Sequence, residues 1–272
     1  MSKPFQFTRL ENGKKERTTN LLELLRIDRP EQARWLCVGA HDDDIAGGEG
    51  MWVAAARQAG IQVDVLIATD GRMGYCSAEQ RHSIVQIRKQ ETFASFELLG
   101  VGREHVHYID YPDDDLFVHQ GRRLARPGEQ DIAGFVGLQN AFTWYLRRLR
   151  PTHLFFPTPT DLHPDHRIVH QEMMISVYHA QGIIWPELGE PLEKLPTIYE
   201  SATYSHFRQP PNLELRAADE VLELKLKALG VFRSQAQIEL FLNHVRAGGP
   251  YEYLCEFAYP FYSPNHYKVL FA

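Results

Sequence analysis

Short apolar runs alternate with helix-forming segments along the first two thirds of the chain. The apolar runs are 34–40 (RWLCVGA), 61–69 (IQVDVLIAT), 105–110 (HVHYID) and 153–158 (HLFFPT), and the helical segments follow a loop at 51–60, 84–99 and 132–150. Apolar runs of this length that alternate with helices are typical of parallel strands buried on both faces. The pattern therefore predicts an α/β fold in which helices cover a mostly parallel sheet.

The last third of the chain has a different character. Prolines interrupt it at positions 186, 191, 196, 210 and 211, a strand is expected within 197–207, a helix at 217–229, and the tail 251–262 is aromatic and strand-like. No linker is long enough to separate two independent units. We predict one domain, 1–272, with a Rossmann-like core at about 34–185 and a C-terminal elaboration at about 186–272.

Composition excludes several classes of protein. Charged residues are 24% of the chain, hydrophobic residues are 44%, and no apolar run reaches 18 residues, so disordered and membrane-spanning classes are excluded. The net charge of −6 argues against a nucleic-acid partner.

Three cysteines without a CxxC spacing favour a reducing compartment, and the N-terminal segment lacks the apolar stretch of a signal peptide. We expect a cytoplasmic protein.

Two clusters of histidine and aspartate follow predicted strands. His41-Asp42-Asp43-Asp44 comes after the first strand, and His163-Pro164-Asp165-His166 comes after the fourth. Ligands of open α/β sheets bind beyond the carboxyl ends of the strands, where these loops should converge. Adjacent carboxylates repel unless a cation or hydrogen-bond donors lie among them. Either cluster alone is also compatible with a solvated or helix-capping turn, but together they predict a metal site. Two histidines and one aspartate with an open position match catalytic zinc.

The chain resembles the LmbE/PIG-L family of metal-dependent N-deacetylases. The segments GAHDDDIAGG, TDGRMG, RKQE and HPDH follow one another in the family's order and spacing from about Trp35 to His170, and KLKALGVFRSQ and YLCEF resemble later family segments. The resemblance implies hydrolysis of the N-acetyl group of an N-acetylglucosamine-type amine. The TDGRMG loop is more similar to that of the diacetylchitobiose deacetylase branch, which implies an amino sugar or a short chito-oligosaccharide as substrate. It also implies a homo-oligomer.

The resemblance assigns the metal ligands and the catalytic residues. It implies His41, Asp44 and His166 as ligands of Zn²⁺ or another divalent metal, with water in the fourth position. Asp43 matches the general base, which suits a carboxylate adjacent to the ligands.

A second catalytic residue is implied at His163. When protonated, it would polarise the acetyl carbonyl oxygen. Asp165 would then orient the imidazole of His163.

Arg88 and Asp113 match positions that bind sugar hydroxyls in relatives. For Arg88, an ion pair with Glu91 on the helix surface is the alternative. Trp185, Tyr204 and Phe207 are aromatic residues that could stack on a sugar, although isolated aromatic residues are more often part of the core.

The chain departs from the family pattern at three positions. Asp42 replaces the usual proline, Ile45 replaces a glutamate, and Phe232 replaces the histidine of the late SQ segment. Without proline the loop is expected to be freer. The additional carboxylate is expected to tune neighbouring pKa values or to bind a second cation.

Other functions are possible on the same elements. A receiver-like signalling module would use Asp42, Asp43 and Asp70 but not the HPDH motif. A nucleotide-binding protein is disfavoured because GxGxxG and GxxxxGK[ST] motifs are missing from the sequence. A metal-dependent hydratase or lyase, or a deacylase of a non-sugar substrate, stays open because fold and metal do not determine the reaction.

Overall fold

The computed structural model describes residues 3–268 and 270–271. The strands are β1 (Phe5–Glu11), β2 (Lys14–Thr18), β3 (Arg34–Gly39), β4 (Gln62–Thr69), β5 (Val106–Tyr111), β6 (Arg123–Leu124), β7 (Phe135–Val136), β8 (His153–Pro157), β9 (Thr197–Ser201), β10 (Leu213–Ala217) and β11 (Tyr251–Phe257). The helices are α1 (Leu21–Leu24), α2 (Asp44–Gln58), α3 (Ile84–Leu98), α4 (Leu138–Leu149), α5 (Pro164–Gln181), α6 (Asp219–Leu229), α7 (Ile238–Gly248) and α8 (Asn265–Lys268). Among these residues, no helix is both long enough and apolar enough to cross a membrane.

One sheet of nine strands runs through the described residues, in the order β2-β1-β10-β11-β9-β8-β3-β4-β5. The five strands from β9 to β5 are parallel to one another. The remaining strands pair antiparallel, so the C-terminal strands and the N-terminal hairpin extend the same sheet. The predicted mixed α/β fold with a parallel core is confirmed.

Helices cover both faces of this sheet. Along β3, Trp35 and Cys37 point into one apolar cluster, whereas Leu36 and Val38 point into the other, as the period of two in a strand requires. Helices α2, α3 and α6 pack on the first face, and α4 and α5 pack on the second. Because both faces are buried, β3 is a continuous apolar run, and it is the middle one of the five parallel strands.

Helix α2 begins at Asp44, earlier than the sequence indicates. Glycines in its first turns reduce helix propensity, but they are needed for close packing by the C-terminal third. A Cβ atom at Gly48 would lie 3.2 Å from the carbonyl oxygen of Ala202, and one at Gly47 would lie 3.2 Å from the ring of Phe241. The glycines thus allow later segments to approach the start of this helix.

The start of α4 also differs from the prediction. The sequence indicates a helix from Ile132, but the helix begins at Leu138, and Ile132 forms a β-bridge with Phe135. Ala133 and Gly134 have φ angles of 56° and 83°, which are incompatible with a right-handed helix. The apolar spacing of this turn coincides with that of a helix, so the two were not distinguishable by pattern.

Nine of these elements were not predicted: β1, β2, β6, β7, β10, α1, α5, α7 and α8. The omission of α5 matters most, because it placed the HPDH motif in a loop. The first turn of this helix is polar, so apolar periodicity gives little sign of its start.

A buried arginine holds the C-terminal end of α5. Arg147 of α4 is 4% exposed and donates hydrogen bonds at 2.8–3.3 Å to six backbone carbonyl oxygens, those of His179, Ala180, Gly182, Ile184, Trp185 and Gly189. The last carbonyls of a helix have no partners within the helix. One guanidinium therefore satisfies the end of α5 and the loop that follows it.

We expect Arg147→Lys to lower the free energy of unfolding by about 2–4 kcal/mol, because a lysine has three donors on a single atom and leaves several buried carbonyls unpaired. Urea unfolding followed by circular dichroism measures the change. Arg148→Lys, on the exposed side of the same helix, is the control and should stay within about 0.5 kcal/mol of wild type. Equal stability of the two variants would contradict this role.

Candidate active site

Two helices begin where the parallel neighbours β3 and β8 end. Asp44 is the first residue of α2, and His163 directly precedes Pro164, the first residue of α5. The HDDD and HPDH motifs therefore lie at two helix N-termini. Free backbone N–H groups and the positive end of the helix dipole favour anionic groups at such positions.

Three potential metal donors form a small triangle. Asp44 Oδ2 lies 3.5 Å from His41 Nδ1 and 3.1 Å from His166 Nε2, and the two nitrogens are 3.1 Å apart. Ligand atoms at about 2.0–2.1 Å from a tetrahedral ion are about 3.3 Å from one another. Asp44 Oδ1 is buried and has no hydrogen-bond partner among the described residues. The residues present therefore fit a divalent metal.

Two other groups of three donors overlap with this triangle. One is His41 with His163 and His166, and the other is His41 with Asp113 and Asp165. Among the described residues, Asp44 is the one carboxylate that lies close to both buried imidazoles, those of His41 and His166. The set with Asp44 therefore has one negative charge that faces the cation. The set with three histidines has none, and the set with Asp113 and Asp165 has two.

The far nitrogen of His41 faces carboxylates. Nε2 lies 3.1 Å from Asp113 Oδ1 and 3.5 Å from Asp165 Oδ2. The other oxygen of Asp113 accepts from the backbone of Met73 at 3.2 Å, and Asp165 Oδ2 accepts from the backbone of Asp114 at 2.9 Å. Carboxylates behind a ligating imidazole fix its orientation. The structure thus places Asp113 and Asp165 against His41, whereas the sequence indicated sugar hydroxyls and His163 as their partners.

His166 has a similar partner that sequence reasoning missed. Its Nδ1 lies 3.4 Å from Asp161 Oδ2, and Asp161 Oδ1 accepts from the backbone of His163 at 3.0 Å. Asp161 is 1% exposed. The signal available in the sequence was an aspartate two residues before the HPDH motif and five residues before a proposed histidine ligand.

Opposite charges shift the pKa values in this site. Burial lowers the pKa of His41, but nearby carboxylates, Asp44 first, outweigh it and raise the pKa well above its usual value. Burial also lowers the pKa of His166, which Asp44 and Asp161 raise to about 9. Burial raises the pKa of Asp44, but the two imidazoles hold it well below its usual range. The site therefore attracts positive charge.

His163 lies beside the donor triangle. Its ring packs edge-on against His41 with the centroids 4.5 Å apart, and its Nδ1 accepts from the backbone N–H of Asp165 at 3.2 Å. Burial and the neighbouring imidazoles of His41 and His166 lower its pKa. The ring is therefore oriented by a backbone amide, and its neutral form is favoured.

Asp43 precedes α2 and faces a cavity. Its Oδ1 lies 3.4 Å from Arg88 Nη2. Burial raises the pKa of Asp43, Arg88 opposes that shift, and Asp44 adds to it, so the pKa is raised. The carboxylate is next to a metal ligand without being part of the triangle.

Arg88 is 2% exposed and lies behind Asp43. Its Nε donates to Asp42 at 2.7 Å. The alternative of a surface ion pair with Glu91 is wrong, because Glu91 accepts from the backbone and hydroxyl of Ser234 at 2.8 and 2.6 Å. The structure also shows Asp42 paired with the guanidinium instead of exposed to a second metal.

The SQ segment, Ser234 and Gln235, packs on this part of the site. The amide of Gln235 lies against Arg88, and because a guanidinium only donates, the amide oxygen is assigned to the side that faces it. Ile45, at a position where a glutamate is usual, is 1% exposed in the core, and Phe232 is also fully buried. These two replacements are apolar packing residues.

A cavity of about 540 Å³ opens beside Asp43. It is lined by Asp43, Thr203, Tyr204, Gln235, Gln237, Ile238, Leu240, Phe241 and His244. Apart from Asp43, the lining comes from the C-terminal third, and half of it belongs to α7. Its size is within the range of small-molecule sites, about 300–1,000 Å³.

Of the three aromatic residues singled out in the sequence, one lies at this cavity. Tyr204 is 47% exposed, and its ring stacks on His166 with the centroids 5.3 Å apart, so its interpretation as a core residue is wrong. Trp185 packs against His179 at the opposite end of α5, and Phe207 is half-buried and separate from the cavity lining.

Comparison with known proteins gives consistent matches. The sequence model of the PIG-L family, described as GlcNAc-PI de-N-acetylase, matches residues 36–177, more than half of the chain. Diacetylchitobiose deacetylase from Thermococcus kodakarensis is 27% identical over 205 residues, 74% of this chain and 69% of that protein.

Solved structures agree with this match. N,N'-diacetylchitobiose deacetylase from Pyrococcus horikoshii is 26% identical, with a TM-score of 0.68 over 92% of this chain and 94% of that one. The 4-carboxy-2-hydroxymuconate hydratase GalB from Pseudomonas putida shares the fold at 19% identity, with a TM-score of 0.60 over 86% of this chain and 99% of that one. The family indicated by the HDDD and HPDH motifs is thus confirmed: the chain belongs to the PIG-L family.

Proposed function

We propose that this protein is a zinc-dependent hydrolase that removes the N-acetyl group from an N-acetylglucosamine-type amino sugar or a short chito-oligosaccharide. The observation that carries the proposal is the triangle of His41, Asp44 and His166 beside Asp43 at the cavity. Two imidazoles and one carboxylate with an open position suit catalytic zinc. Membership of the PIG-L family and the deacetylases among its relatives support the same reaction.

The three donors would hold the ion through His41 Nδ1, the Asp44 carboxylate and His166 Nε2. A bound divalent ion supplies a Lewis acid that acidifies water and polarises a carbonyl group. Asp113 and Asp161 keep the two rings in the orientation that presents these nitrogens.

Asp43 would act as the general base and later protonate the leaving amine. Its carboxylate lines the cavity. The pKa of Asp43 is raised toward neutral pH, so the same residue can first accept a proton as a base and then donate it as an acid. Arg88, behind this carboxylate, would support it and not contact the sugar directly.

His163 would donate a hydrogen bond to the acetyl oxygen. Its Nδ1 accepts from a backbone N–H, so in the neutral ring the proton is on Nε2. The lowered pKa favours this neutral donor over the protonated imidazole that the sequence indicated.

The cavity would hold the sugar. Tyr204 and Phe241 provide rings, whereas Thr203 and Gln235 provide a hydroxyl and an amide. Apolar walls with a few directed polar groups suit a sugar ring, which has apolar C–H faces and hydroxyls at its edge.

We expect the zinc-loaded protein to release acetate from N-acetylglucosamine or diacetylchitobiose, measured by a coupled acetate assay. Removal of the metal by a chelator should abolish release, and added zinc should restore it, because the ion supplies the Lewis acid. Release that persists in protein shown by elemental analysis to be free of metal would contradict the metal dependence. With metal bound, no release from any acetylated amino sugar would contradict the proposal and favour a hydratase, a lyase or a deacylase of a non-sugar substrate.

The ligand set predicts which variants lose metal. We expect His166→Ala and Asp44→Ala to lower zinc affinity by more than the about 10–100-fold that loss of a supporting residue costs, whereas His163→Ala should retain the ion. Metal titration with elemental analysis provides the measurement. His170→Ala, one turn further along α5 and bonded to the carbonyl of Pro157 at 2.9 Å, is the control. Loss of zinc from His163→Ala together with retention by Asp44→Ala would identify the three-histidine set instead.

Asp43→Asn should retain zinc but lower kcat by about 10²–10⁴-fold, because an amide cannot accept the proton of water. The rate per bound zinc is the measurement. Asp114→Asn is a matched control, because Asp114 is exposed and has a φ of 62° that asparagine also tolerates. A rate within twofold of wild type in Asp43→Asn would remove Asp43 as the base.

A further inference from the structure

Asp42 stands at the position where the family usually has proline, yet its carboxylate is completely buried and bonded on both oxygens. Oδ2 accepts from Arg88 Nε at 2.7 Å. Oδ1 accepts from the hydroxyl groups of Thr92 at 3.0 Å and Tyr108 at 2.9 Å. Burial of an ion pair is favourable only when the remaining polar atoms also have partners. The carboxylate therefore ties the start of α2 to α3 and β5.

Two glycines of the loop after β4 pack directly on the ion pair of Asp42 and Arg88. A Cβ atom at Gly71 would lie 2.5 Å from Asp42 Oδ2 and 3.0 Å from Arg88 Nε, and one at Gly74 would lie 3.0 Å from Arg88 Nη1. The φ of Gly71 is 68°, which also favours glycine. The backbone packs directly on the pair, which keeps it out of water and makes the attraction strong.

The two edges of the Arg88 guanidinium face different partners. The Nε edge is bonded to Asp42, whereas Nη2 lies 3.4 Å from Asp43 Oδ1 and the amide group of Gln235 lies against the same end. Charge-assisted hydrogen bonds of this type are normally about 2.7–2.9 Å long. Arg88 is thus tied to Asp42 and only adjacent to Asp43.

We infer that Asp42 is a positioning residue of the active site: it holds Arg88 by one edge, so that Asp43 and Gln235 are supported from behind and Asp43 still faces the cavity. The inference rests on the proposed function, in which Asp43 is the base. Without the carboxylate of Asp42, Arg88 would be a buried cation whose nearest carboxylate is Asp43. It would then close on Asp43 and withdraw it from the cavity.

The test compares the two oxygens of Asp42. Asp42→Ala removes the partner of Arg88 and should lower kcat per bound zinc at least tenfold, with KM within threefold of wild type and the zinc content unchanged. Asp42→Asn retains one acceptor and should recover part of the rate. Tyr108→Phe is the matched control, because it removes a hydrogen bond to the other oxygen and leaves the ion pair intact. Its rate should stay within twofold of wild type.

Two results would overturn the inference. One is an unchanged kcat per bound zinc in Asp42→Ala, with only a lower melting temperature, which would indicate a purely structural residue. The other is an equal loss of rate in Tyr108→Phe and Asp42→Ala, which would indicate loop packing. If Asp42→Ala does not fold, Asp42→Asn provides the comparison, and a rate equal to that of Tyr108→Phe would overturn the inference.

A crystal structure of the folded Asp42 variant, Ala or Asn, separates this inference from the proposed function. If the wild type releases no acetate, the proposed reaction fails, but the position of Arg88 still tests the inference. In Asp42→Ala the distance between Arg88 Nη2 and Asp43 Oδ1 should shorten from 3.4 Å to within 3 Å. A guanidinium that has not moved would overturn the inference.

Discussion

Three consecutive carboxylates at the end of a central strand determine how this site is built. Asp42, Asp43 and Asp44 are close enough to repel one another strongly in a buried environment. The fold reduces this repulsion because the three side chains point toward different partners. Asp42 turns to Arg88, Asp44 turns to the imidazoles of His41 and His166, and Asp43 faces the cavity. Two of the three negative charges are thereby balanced, and the third is left available for chemistry.

The parallel sheet brings the required partners together. Strands β3 and β8 are neighbours, so α2 and α5 both begin at the same edge, and residues 125 positions apart lie within contact. Helix N-termini favour the anionic groups that collect there. Glycines at the start of α2 then admit the C-terminal third, which forms most of the cavity wall. The reactive groups thus come from the core, whereas the surface that would select a substrate comes from the later segments.

The parts of the fold that were predictable had strong local signals. Strands β3, β4 and β8 are apolar on both faces, and α3 stops close to a glycine, so their order indicated the parallel core. The elements that were missed lack such signals. Helix α5 begins with polar residues that are held by the site, and the turn before α4 has apolar spacing that a helix shares. Local pattern also gave no information on whether β1 and β10 pair, because they are about 200 residues apart in the chain.

By itself, the sequence determined the fold class, the family and the two clusters that meet in the site, because each is encoded in contiguous residues. Only the tertiary structure decided what each carboxylate contacts: Asp113 and Asp165 face His41, Asp161 faces His166, and Asp42 faces Arg88. The physical reason is that a buried charge needs a partner, and that partner usually comes from another element. Spacing along the chain does not specify which element that is.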